Sequence, residues 1–118
     1  MRGMDWGSVE LEPEVAAWLA GLTDNEFGQA AFYVDLLAER GVHLGEPYTK
    51  QLRGKLRELR FFVGRQRWRV TYFIAGGRRI VLLTVFPKTR PRERHEVLRA
   101  ERAMATCLAE GHTTEEDE

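Results

Sequence analysis

The segment ELRFFVGRQRWRVTYF, Glu58 to Phe73, carries four arginines in sixteen residues: Arg60, Arg65, Arg67 and Arg69. A guanidinium presents a planar fork of N–H donors that matches phosphate oxygens and keeps its charge at any physiological pH. Held on rigid strands, a group of them could grip a phosphodiester more specifically than lysine point charges. Lys50, Arg53, Lys55, Arg57, Lys88, Arg90 and Arg92 flank the segment and would widen an electropositive surface. A surface of that breadth fits nucleic acid better than a small ligand.

The formal net charge of zero conceals how the charges are distributed. Residues 1–47 hold two basic and nine acidic residues, residues 48–102 hold sixteen basic and four acidic, and residues 103–118 hold five acidic and none basic. A middle segment of +12 between acidic flanks suits a polyanion partner, with the flanks solvated or shielding it. At 118 residues the chain is long enough for one core, so a single domain over 1–118 is expected, with a flexible acidic tail from about residue 111. No apolar run approaches the length of a membrane span, the N-terminus lacks the regions of a signal peptide, and Cys107 is the only cysteine. A cytoplasmic protein without membrane attachment or disulfides is therefore expected. His43, His95 and His112 are scattered without ligand spacing, so the sequence offers no metal site.

The elements that must position the arginines follow from pattern. SVELEP alternates Val9 and Leu11 with polar residues and predicts a short strand. Pro13 suits the first turn of a helix with a Val15, Trp18, Leu19 and Leu22 stripe. TDNE, Thr23 to Glu26, is a capping-box pattern opening a second helix. That helix would bury Phe27, Ala30, Ala31, Val34 and Ala38 and stop at Gly41, making a helical hairpin with the first.

After a loop containing Pro47, strands are predicted near Leu56–Phe62, Trp68–Ala75 and Arg79–Phe86, joined by short Gly-containing turns. IVLLTVF is apolar at nearly every position, as an interior strand should be, and the N-terminal strand would pair beside it. Pro91 would start a final helix with Val97, Ala100, Met104, Cys107 and Leu108 on one stripe. The expected class is thus α+β: a mostly antiparallel sheet of about four strands, an N-terminal helical hairpin and a C-terminal helix. Alternation puts Leu59, Phe61, Val70 and Tyr72 on one face and leaves Glu58, Arg60, Arg67 and Arg69 on an open one.

This element order, with KLRELR, WRVTYF and IVLLTVFPKTRPRERHEVLRA, resembles the RelE/ParE toxin superfamily, and within it the phage-derived HigB-like branch. The resemblance runs from about Val9 to Leu108. It implies the toxin of a toxin–antitoxin pair, an mRNA interferase acting on the ribosome without metal or cofactor and silenced by a small antitoxin of helix-turn-helix type. In such cleavage the substrate's 2′-OH attacks the adjacent phosphodiester, leaving a 2′,3′-cyclic phosphate and a free 5′-OH. Carried over residue by residue, it points to Arg60, Arg69 and Lys88 as catalytic. The arginines would stabilise charge on phosphorus, and Lys88 would hold the phosphate or move a proton. Glu58 is either the base or the partner that orients Arg60. Pro87 stands before Lys88 where many relatives have a second lysine.

Two other functions share this pattern. ParE-like relatives keep the fold and poison DNA gyrase without cutting RNA, and fold alone does not separate them from nucleases. A non-catalytic RNA-binding module would also account for the basic segment, with Phe62 and Phe73 as the candidates for base stacking.

Overall fold

The computed structural model describes residues 5–111, so the acidic tail falls almost wholly outside the described residues. In chain order the elements are β1 (Ser8–Leu11), α1 (Pro13–Ala20), α2 (Asp24–Arg40), a 3₁₀ turn (Gly41–His43), β2 (Thr49–Arg53), β3 (Leu56–Val63), β4 (Gln66–Ala75), β5 (Arg79–Pro87) and α3 (Arg94–Ala109). The strands form one sheet in the order β1-β5-β4-β3-β2. β1 runs parallel to β5, and the other neighbours are antiparallel.

The sheet therefore has five strands rather than about four. The additional one, β2, reads TKQLR, with Leu52 its single apolar residue. It lies at the sheet edge, where charged side chains are tolerated and deter pairing with other chains, so apolar alternation does not mark it.

Helices cover both faces. α1 and α2 lie over Leu59, Phe61, Val63, Val70, Tyr72, Ile80 and Leu82, to which they contribute Val15, Ala30 and Leu37. α3 covers Leu56, Phe73, Val81 and Leu83 with Ala100 and Cys107. β5 is apolar at nearly every position between Arg79 and Pro87, Thr84 excepted, because its alternate residues enter these two cores.

The capping box at the start of α2 is formed. The Glu26 N–H donates to Thr23 Oγ1 at 3.2 Å, and the Thr23 N–H donates to Glu26 Oε1 at 2.9 Å. Phe27, expected inside, is 47% exposed, and Leu37 is the buried residue instead. The helix ends at Gly41, whose φ of +50° is open to glycine at little cost and whose α-carbon abuts the Trp6 indole.

The last helix starts at Arg94, not Pro91. The Glu93 carboxylate accepts the N–H groups of Thr89 and Arg90 at 3.1 Å each, which closes a turn ahead of the helix. Val97, Ala100, Met104 and Cys107 face the sheet, while Leu108 is 51% exposed. Among the described residues no helix is long and apolar enough to cross a membrane.

Candidate functional site

Strand register brings the charged residues together. Arg60 on β3 stands directly opposite Arg69 on β4, and Arg69 opposite Phe86 on β5. One pair further along, Glu58 lies between Lys50 on β2 and Thr71 on β4. All these side chains share the α3 side of the sheet, because β3 and β4 alternate residue by residue.

The face expected to be open is largely covered. Glu58 is 7% and Arg69 6% exposed, whereas the Arg60 side chain keeps 30% of its surface in solvent. The covering was not legible from alternation, which fixes which residues share a face but not what docks on it.

Both arginines converge on one oxygen, Glu58 Oε2, which lies 3.3 Å from Arg60 Nε and 3.6 Å from Arg69 Nε. Neither contact has hydrogen-bond geometry, so both Nε groups meet the carboxylate as ion pairs rather than through a formed hydrogen bond. The sharing of one carboxylate oxygen by two guanidiniums is an uncommon arrangement for a nearly buried site, because each buried charge must be compensated. Burial pushes the Glu58 carboxyl above its ordinary range, against the pull of Arg69, Arg60, Lys50 and Lys88. Burial likewise pulls Arg69 below its ordinary value, with Glu58 opposing.

A cleft of about 160 Å³ opens on the Glu58 and Arg60 side of this cluster, lined also by Lys50, Phe86, Lys88 and Glu93, while Arg69 lines a neighbouring cleft. The Lys88 N–H donates to the Arg67 carbonyl at 2.8 Å, fixing the backbone, and its Nζ donates to the Arg90 carbonyl. Glu93 and Phe86 were not anticipated at the site. Glu93 is one of only four carboxylates in the basic segment, and that scarcity was the available sign.

The remaining basic residues separate. Arg67 is exposed on the same strand as Arg69 and lines a neighbouring cleft with Arg60. Arg90 precedes α3 beside Lys88, while Arg92 and Arg53 line a different groove, where Arg53 pairs with Glu101 at 3.2 Å. Lys55 and Arg65 occupy turns at opposite ends of β3.

Arg57 is a correction to the expected binding surface. It shares the parity of Leu59, so it faces the α1–α2 side. There it donates from Nε to the Tyr72 hydroxyl at 3.3 Å and from a terminal nitrogen to Thr49 Oγ1 at 3.1 Å. It is a core-edge fastener, and Tyr72 is a packed aromatic with a satisfied hydroxyl. Of the two candidate stacking residues, Phe73 is 1% exposed and Phe62 is 53% exposed.

The arrangement can bind an anion at fixed donors and stabilise charge that develops there. A family model described as "Phage derived protein Gp49-like (DUF891)" matches residues 17–105, about three quarters of the chain. Among solved structures the chain is similar to a chain of the archaeal RelE–RelB complex from Pyrococcus horikoshii OT3. The identity is 22% and the TM-score 0.52, over 71% of this chain and 97% of that one, which shows a common fold. No curated protein matches the sequence.

Proposed function

The chain belongs to the Gp49-like family of phage-derived proteins, and from that membership and its RelE-like α+β fold we propose that it is the toxin of a toxin–antitoxin pair that cuts mRNA on the ribosome. The finer placement, in the HigB-like branch with a helix-turn-helix antitoxin and a cytoplasmic site of action, belongs to the same proposal.

The observation that carries it is the convergence of Arg60 and Arg69 on one largely buried carboxylate, beside a cleft that Arg60 shares with Lys50 and Lys88. A protein that needed only stability would gain by replacing such a cluster with apolar residues. A phosphodiester oxygen in the cleft would be met by Arg60 and Lys88, which both line it.

The 2′-oxygen attacks the adjacent phosphorus, the bond from phosphorus to the 5′-oxygen breaks, the 2′-OH proton leaves to a base, and the departing 5′-oxygen gains a proton. The products are a 2′,3′-cyclic phosphate and a 5′-OH. Arg60 and Arg69 stabilise the added charge on the phosphoryl oxygens, each worth about 10²–10³ in rate. Lys88, on the lip of the cleft, holds a non-bridging oxygen. Glu58, with Oε2 against both guanidiniums, is supported as a positioning residue rather than the base.

Inducible expression in bacteria followed by mapping of mRNA 5′ ends tests the reading. Clustered in-frame cuts are expected. Intact mRNA accompanied by DNA damage would replace this reading with gyrase poisoning.

A further inference from the structure

A second cleft, of about 340 Å³, adjoins the arginine pair at the free edge of β3. β2 pairs with β3 only as far as Leu59, after which the Arg60 N–H donates to the Tyr48 carbonyl at 2.8 Å and the edge opens. Tyr33, Tyr48 and Phe62 line the cleft together with Arg60, Arg67 and Arg69, and no carboxylate does.

Its floor is rigid. The Tyr33 ring stacks on Phe61 with centroids 5.4 Å apart and meets Phe32 edge-on at 5.1 Å, and Tyr48 lies 6.4 Å away. Its upper wall is Phe62, a large aromatic left 53% exposed on a strand end where packing does not call for it.

We infer that this cleft is a nucleobase subsite, which takes one unpaired base of single-stranded RNA against Phe62 while Arg67 meets the adjoining phosphate. Aromatic faces accept any base by stacking, and arginines at the rim complement the backbone charge. Arg60 lines both this cleft and the one holding Lys88, so the base would belong to a nucleotide next to the phosphate bound there. The inference rests on the proposed RNA substrate and adds where its base is held.

The test uses a single-stranded 2′-O-methyl oligonucleotide carrying 2-aminopurine, which cannot be cut because its 2′-oxygens are blocked. Binding to the wild-type protein should quench the fluorophore. Phe62→Ala should abolish quenching and weaken binding about tenfold, Phe62→Trp should retain both, and Phe27→Ala, at an exposed aromatic outside the cleft, should change neither. Equal quenching and affinity for Phe62→Ala and the wild type would overturn the subsite. So would a cleft that ignores RNA and instead supports a Phe62-dependent complex with the antitoxin. Quenching by a protein that leaves ribosomal mRNA intact would uphold the subsite and refute the nuclease reading. Cleavage that Phe62→Ala leaves at full rate, with quenching unchanged, would refute the subsite alone.

Discussion

Arg60 and Arg69 face one another across β3 and β4, and their Nε atoms lie 3.3 and 3.6 Å from the same oxygen of Glu58. Like charges directly opposite in a sheet repel, and the carboxylate that lies against both guanidiniums is what allows the pair to stand there. The cluster leaves a net positive charge beside the cleft, which an anion entering it would offset.

The two arginines should separate in stability but not in activity. Arg60→Ala, at a side chain 30% exposed, should cost at most about 1 kcal/mol, while Arg69→Ala, at a residue 6% exposed, should cost about 1–3 kcal/mol. Each should lower cleavage by about 10²–10³. Arg69→Lys should recover the fold better than the rate, because an ammonium keeps the charge and loses the planar fork. Urea melts and single-turnover cleavage of both variants check this, and a fully active, folded Arg69→Ala would remove Arg69 from the site.

Glu58 makes stability depend on pH in a definite direction. Folding raises its pKa above the ordinary 4.5. A carboxyl of that kind binds its proton more tightly in the folded state, so its contribution is fully present below the unfolded value and is lost as pH rises through the folded one. The Tm of the wild type minus that of Glu58→Gln should therefore grow as pH is lowered from 7 toward 4. A difference that shrinks would mean that the arginines outweigh burial.

Much of this architecture was legible because local chemistry and tertiary structure agree. Thr23 and Glu26 announced α2, and the apolar run of β5 announced a central strand. β2 was not legible, since TKQLR pairs by backbone alone at an edge. The odd parity of Arg57 already separated it from Arg60, so its inward position was in the sequence. The burial of Glu58 and Arg69 was not, because it depends on α3 and the loop before it, contacts made across more than twenty residues of chain.

RNA binding should depend steeply on salt. Four phosphate contacts, from Lys50, Arg60, Arg69 and Lys88, would give a slope of log K against log salt of about −3 on single strands. Arg67→Ala should reduce that slope by roughly 0.7 if it adds a fifth contact. Arg57→Ala should leave the slope unchanged and lower the Tm, because its partners are Tyr72 and Thr49. Titrations of labelled RNA at several salt concentrations distinguish them, and a flat dependence would sink the basic-face account.

Two glycines in or after α2 should respond oppositely to alanine. A Cβ at Gly41 would stand 2.1 Å from the Trp6 ring at a φ of +50°, so Gly41→Ala should cost about 2–4 kcal/mol. Gly28 lies within the helix with open space around it, and Gly28→Ala should stabilise by about 0.5–1 kcal/mol. Thermal melts of the two variants give the comparison directly.

The central claim is that the arginine pair serves cleavage by the substrate's own 2′-hydroxyl. Its most direct test is the product chemistry on ribosomes programmed with a synthetic mRNA, with and without a single 2′-deoxy substitution at the mapped cut. The account predicts fragments ending in 2′,3′-cyclic phosphate and 5′-OH, absent with the deoxy substrate and formed about 10²–10³-fold more slowly by Arg60→Ala. Intact mRNA, or cleavage that survives loss of that one hydroxyl, would contradict it.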